Sequence, residues 1–183
     1  MRPARMRAQL GVATFLAVLA HAAAPRLAAG QTSLEVAVKA TDLYKFAAFV
    51  DWPPSAFAGS GESAVLCVAG EDPFGPLLDQ AVRGQRIGAR PIVVMRLDRV
   101  ERGAPCTILF AGPSRRQPPA EALERVRGEP VLTVTDGAGD PNARGMIDFV
   151  LQDGRVRFRI DPRAAERSGL VISSKLLSLA VKP

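Results

Sequence analysis

Ala64-Val65-Leu66-Cys67-Val68-Ala69-Gly70-Glu71-Asp72-Pro73-Phe74 is the stretch on which the fold turns. An apolar run with no polar alternation, Ala64 to Ala69, suits a strand buried on both faces. Asp72 then offers an N-cap and Pro73 a first-turn proline, so the strand passes through a short turn into a helix. That helix is predicted over about Phe74–Arg83 and stopped by Gly84. The cycle recurs downstream. Pro91–Leu97 and Cys106–Ala111 read as strands, Ser114–Arg127 as a helix stopped by Gly128, and Val131–Thr135 as a fourth strand. Strands alternating with helices imply an α/β domain with a mostly parallel sheet covered by helices on both faces, in Rossmann-like or flavodoxin-like layers.

Beyond the loop Asp136–Gly145 the pattern changes. Met146–Leu151 and Arg155–Ile160 flank Gln152-Asp153-Gly154, an Asp-Gly turn between β-rich runs and hence a C-terminal antiparallel hairpin. Val156, Phe158 and Ile160 alternate with Arg155, Arg157 and Arg159. One face is buried and the other charged, and the arginines read as a solvated edge that blocks aggregation. Asp161-Pro162 opens a further helix, ended by Ser168-Gly169, and Ser173-Ser174 caps a short terminal one carrying Leu176, Leu177 and Leu179. Upstream, Thr32-Ser33-Leu34-Glu35 has the form of a capping box. Val36, Ala40, Leu43, Ala47 and Val50 follow at helical spacing, widened by Phe46 and Phe49, until Trp52-Pro53-Pro54 ends the helix. Gly59-Ser60-Gly61 reads as a loop. With no repeat and no linker, residues 31–183 read as one domain.

Residues 1–30 read as a secretory signal peptide. Arg2, Arg5 and Arg7 give the positive start, Leu10–Ala24 is apolar apart from Thr14 and His21, and Ala28-Ala29-Gly30 offers cleavage before Gln31. The apolar run is about 15 residues, short of the roughly 20 a spanning helix needs, so the chain is expected in the periplasm and not across a membrane. Arg2, Arg5, Arg7 and Arg26 leave with the segment, so the net charge falls from +6 to +2. His21, the only histidine, leaves as well. That removes Ser-His-Asp and Cys-His sites and every histidine metal ligand. The remaining arginines are scattered rather than clustered on a basic face, which argues against nucleic acid. No catalytic residue, metal or cofactor is therefore expected.

Cys67 and Cys106 are the only cysteines. In an exported protein an even pair suggests one disulfide, two buried free thiols being the alternative. Other motifs dissolve on inspection. Gly70 to Gly75 has the glycine spacing of a phosphate loop, but Pro76-Leu77 stand where lysine and a hydroxyl belong. Ser173-Ser174-Lys175 hints at a Ser-Lys hydrolase, yet Ile172 holds the position three before Lys175, and Ser173 is better placed as an N-cap. Asp136-Gly137-Ala138-Gly139-Asp140 is a Gly-rich loop after a strand, where α/β sheets tend to take ligands. The aromatic residues Tyr44, Phe46, Phe49, Trp52 and Phe57 cluster in one stretch, and a helix face this rich is usually core. Trp52, at the helix end before two prolines, is suited to a partner or ligand surface. The candidate binding residues are Phe46, Phe49, Trp52, Asp136, Asp148 and Lys175.

Several segments together resemble the YfiR family of periplasmic regulators across the mature length. They are Lys39 to Pro53, Cys67 to Gly75, Val131 to Asp136, Gly145 to Phe158, and Gly169 to Leu177. The resemblance implies an α/β domain without catalytic residues. It implies a binding regulator that represses an inner-membrane diguanylate cyclase or sensor kinase through its periplasmic part. It also implies a homodimer, an outer-membrane lipoprotein as a further partner, and a disulfide between Cys67 and Cys106. A second cysteine pair found in some members is absent, and Asp140 to Arg144 departs from the family's aromatic-containing loop. The alternative is a periplasmic small-ligand-binding protein, its ligand at the carboxyl ends of the strands.

Overall fold

The computed structural model describes residues 24–57 and 63–181. Most of the expected export segment and the loop at residues 59–61 lie outside them. Helix α1 (Ala24–Lys45) leads into a 3-10 turn at Phe46–Phe49 and strand β1 (Val50–Asp51). Then come β2 (Ala64–Ala69), α2 (Pro76–Val82), β3 (Arg86–Ile87), β4 (Arg90–Leu97), β5 (Ile108–Ala111), α3 (Pro119–Arg125) and β6 (Leu132–Asp136). The chain closes with β7 (Ile147–Gln152), β8 (Arg155–Ile160), α4 (Pro162–Arg167), β9 (Val171–Ile172) and α5 (Ser174–Leu179).

The α/β class holds, and the sheet is mixed. Its order is β3-β4-β2-β5-β6-β7-β8. Strands β4, β2, β5, β6 and β7 run parallel, while β8 pairs antiparallel with β7 and β3 with β4. The short hairpin of β3 and β4 is an antiparallel edge that sequence patterning does not announce. A separate two-stranded sheet pairs β1 with β9 antiparallel, Val50 opposite Ile172 and Asp51 opposite Val171.

Side-chain alternation along the strands builds two apolar layers. Ala64, Leu66 and Val68 of β2 join Ile108 and Phe110 of β5 beneath Leu43 of α1 and Leu78 of α2. Val65, Cys67 and Ala69 face the other way, with Leu109, Cys106 and Ala122 of α3. The sulfurs of Cys67 and Cys106 are bonded, with Cα atoms 5.6 Å apart. The disulfide therefore crosses from β2 to the entry of its neighbour β5, inside the second layer.

Helix boundaries differ from expectation for local reasons. The helix before β1 runs unbroken through Thr32 instead of starting there, and Glu35 bonds Lys39 rather than closing a capping box. It ends at Lys45, and Val50–Asp51 become a strand because β9 supplies their backbone partners. Asp72 Oδ1 accepts from the Phe74 and Gly75 N–H groups, as a cap should. Gly75 at φ 50° nevertheless interrupts the turn, so α2 starts only at Pro76. Ser114 likewise accepts from the Arg116 and Gln117 N–H groups. Pro118-Pro119 keeps the preceding residues out of the helical region, so α3 begins at Pro119. The caps at Asp161 and Ser173 form as read, accepting from the Ala164 and Leu176 N–H groups.

Candidate functional site

The crevice between the carboxyl ends of β2 and β5 comes first, because β2 connects onward to β4 and β5 to β6, in opposite directions across the sheet. Open α/β sheets bind ligands outside such a switch point. Here the crevice is stitched shut by backbone. Glu71 N–H donates to the Pro113 carbonyl at 2.8 Å, and Gly112 N–H to the Ala69 carbonyl at 2.8 Å. A Cβ on Gly70 would meet the Gly112 oxygen at 2.6 Å, and one on Gly112 the Glu71 oxygen at 2.5 Å. Two glycines let the connections touch where a ligand would otherwise sit.

Farther along the same end of the sheet, Asp136 closes β6, and both its oxygens accept from Lys39 Nζ, at 2.8 and 2.7 Å. Glu35, one turn back on α1, also pairs with Lys39. The lysine side chain is 8% exposed. Burial draws its pKa down, but the hydrogen bonds and charges of Asp136 and Glu35 outweigh it, holding the ammonium above the usual lysine range. The aspartate at this strand end thus serves as a clasp between helix and sheet. Asp148 lies near by on β7, 1% exposed. Its Oδ1 accepts from Thr135 Oγ1 at 2.7 Å and from the Ala138 N–H at 3.1 Å. Its Oδ2 faces the Arg144 Nε at 3.6 Å, a charge pair without a hydrogen bond. Both aspartates therefore hold the loop 137–145 and α1 in place.

The aromatic candidates divide. Phe46 is buried between Phe149 and Phe158, with ring centroids 5.5 and 5.0 Å away. Phe49 and Trp52 are half-buried and belong to a corner built from both ends of the chain. The pairing of β1 with β9 sets residues 49–53 against residues 169–175, and the Ser173 N–H donates to the Phe49 carbonyl at 2.9 Å. Lys175 Nζ lies 5.9 Å from the Phe49 ring centroid, within cation–π reach. Trp52 Nε1 donates to the Ala47 carbonyl at 3.3 Å, which fixes the indole, and its ring stacks obliquely on Phe57. Val171, on β9, is 56% exposed. Trp52 and Phe57 also border a groove of about 900 Å³ with Asp51, Arg86 and Arg90.

Phe49 and Lys175 are therefore brought together, Trp52 packs separately on Phe57, and Asp136 and Asp148 form a further, largely internal group. Sequence patterning missed Lys39, Thr135, Arg144 and Val171. Glu35 to Lys39 has the spacing of an intrahelical ion pair, the one signal available for the lysine. Nothing local points from Lys39 to Asp136, which lies 97 residues away. Among the described residues no group of three or more His, Cys, Asp or Glu is placed to hold a metal ion, and no helix is long and apolar enough to cross a membrane.

A family model described as YfiR/HmsC-like matches residues 36–181. A comparison with curated proteins finds no match.

Proposed function

The chain belongs to the YfiR/HmsC-like family, and from that membership we propose that it is a periplasmic regulator. It represses an inner-membrane signalling protein, a diguanylate cyclase or a sensor kinase, by direct protein contact. It reaches the periplasm through a cleaved signal peptide, residues 1–30, and works as a homodimer with an outer-membrane lipoprotein as a further partner. We read the parallel strands in the order β4-β2-β5-β6-β7 as support for a flavodoxin-like layering. In such a layering the sealed crevice at Gly70 and Gly112 is the observation that most favours a surface-acting regulator over a ligand-binding protein. Its surface is the corner of Phe49, Val171 and Lys175, flanked by the exposed Asp51 opposite Val171 and, on the Phe57 side, by Trp52.

The mechanism is stoichiometric. Binding at that corner favours the quiet state of the sensor, and release restores its output. The test is a pull-down of the disulfide-intact mature protein from solubilised inner membranes, with the cell's cyclic-di-GMP measured alongside. Capture of a cyclase or kinase, lost in V171E/K175E, is the expected result. Recovery of neither enzyme would overturn the regulator reading. The alternative, a small-ligand-binding protein, draws on the groove beside Trp52 and Phe57. It predicts a change in Trp52 fluorescence when small-molecule extracts are added to the protein alone.

A further inference from the structure

Strand β4 has an edge that is left largely open among the described residues. It spans Arg90–Leu97 and pairs with β2 from Ile92 to Leu97. On its other side β3 covers only Arg90 and Pro91, and one further bond runs from the Ile92 N–H to the Gln85 carbonyl. After Gln85 the chain departs for α2. Backbone groups alternate in direction along a strand, so the N–H and carbonyl groups of Val94 and Arg96 point the same way as those of Ile92, outward, and meet no strand among the described residues. Beside this bare backbone the sheet face carries Val93, 41% exposed, and Met95, 37% exposed. An open apolar edge of this kind is a template for another strand, and natural sheets usually cover or charge it.

We propose that this edge is completed by β4 of a second copy of the chain, antiparallel about a two-fold axis at Met95, giving one sheet continuous across the dimer. This rests on the dimer reading above and assigns its interface. A second copy fits because the strand is complementary to itself. Centred on Met95, the register sets Val93 against Leu97 and Met95 against Met95 on one face. It sets Val94 against Arg96 on the other, so the outward N–H and carbonyl groups of both residues bond across the axis. A register centred one pair earlier would drive the partner's strand into β3. Charge permits the approach as well. Arg96 is neutralised within its own copy, its Nε 2.7 Å from Asp72 Oδ2 and its Nη2 2.7 Å from Asp79 Oδ2, so the two-fold does not oppose bare cations. Two-fold pairing of one patch with itself is the commonest route to a soluble dimer.

Analytical ultracentrifugation of the disulfide-intact protein tests this with four variants. The wild type is expected at twice the monomer mass. V94P removes an outward N–H that has no partner among the described residues, and V93K/M95K places charge at positions already open to solvent. Both are expected to sediment as monomers that keep the wild-type far-UV circular dichroism, with a melting temperature lowered by the loss of association. M95C is expected to give a covalent dimer on oxidation, because residues directly opposite one another across an antiparallel pair lie within disulfide reach. V93C, offset from its own copy, should give none. A dimer that survives both V94P and V93K/M95K, or a V93C dimer in place of the M95C one, would overturn the interface while leaving dimerisation standing. A monomeric wild type would overturn dimerisation itself, and neither result bears on capture of a membrane partner.

Discussion

The two edges of the seven-stranded sheet are finished in opposite ways. At β8 the outer face carries Arg155 and Arg157, both exposed, and Arg159, half-buried. None of the three forms an ion pair among the described residues. The free side of the strand is partly occupied as well, since Val181 N–H donates to the Phe158 carbonyl at 2.9 Å. At β4 the corresponding positions are Val93 and Met95, and beyond Ile92 the outward backbone is bare among the described residues. Guanidinium groups crowded along one edge repel a second strand, whereas the other edge invites one. An edge kept bare in a fold that armours its opposite edge points to an interface.

The disulfide sharpens this contrast and should give the largest effect. The segment between Cys67 and Cys106 contains α2, β3 and β4 entire, so the bond ties down the half of the sheet with the open edge. Closing a loop of that length is worth about 4 kcal/mol in the chain-entropy model. Replacing both cysteines by alanine is expected to lower the unfolding free energy by about that amount in a denaturant titration. Hydrogen exchange should then quicken through residues 86–97 before it quickens in β7 and β8. Uniform acceleration across the sheet would show that the two halves do not unfold separately.

The other half has a clasp of a different kind, the buried Lys39 between Asp136 and Glu35. Removing one partner of a buried ion pair leaves a charge without compensation, so Lys39→Ala should cost about 3 kcal/mol. Lys39→Met, which keeps the stem packed, should cost less. Because the folded pKa of Lys39 is raised above its unfolded value, the contribution is complete at neutral pH. It is lost as the pH climbs from the unfolded lysine range through the folded value. An alkaline melting series on wild type and Lys39→Met should converge there. Curves that stay parallel would show that Lys39 acts through packing alone.

The smallest change in stability is expected where the effect on behaviour is plain. Replacing Arg155, Arg157 and Arg159 together by threonine touches no ion pair, so each site should shift stability by no more than about 0.5 kcal/mol. Light scattering should nevertheless report concentration-dependent association beyond the dimer, which the wild type lacks. If the variant stays as dispersed as the wild type, the arginines do not guard the edge, and the contrast with β4 loses its meaning.

Much of this was legible in the chain. β2 and β8 fall at the residues that periodicity predicts, and the Asp153-Gly154 turn, the caps at Asp161 and Ser173 and the cysteine pair were visible as well. The candidate site was legible only in pieces. Trp52 and Lys175 could each be picked out, but the pairing of β1 with β9 that joins their segments involves two-residue strands, too short to leave a periodic signal. Asp136 looked like a loop ligand because its lysine lies on a helix far upstream.

By itself the sequence determined what depends on neighbours a few residues apart: which runs are strands, where proline and aspartate start helices, which face of β8 is charged. Side-chain alternation, capping and turn chemistry are local, so they survive being read without the fold. Only the tertiary structure decided what depends on distant partners: the closure of the crevice at Gly70 and Gly112, the burial of Phe46 and Asp148, and the bareness of β4. Val93 and Met95 sit in the same kind of apolar run as Val65 and Cys67. The difference between a buried strand and an open edge is whether another strand lies alongside, and no residue carries that fact alone.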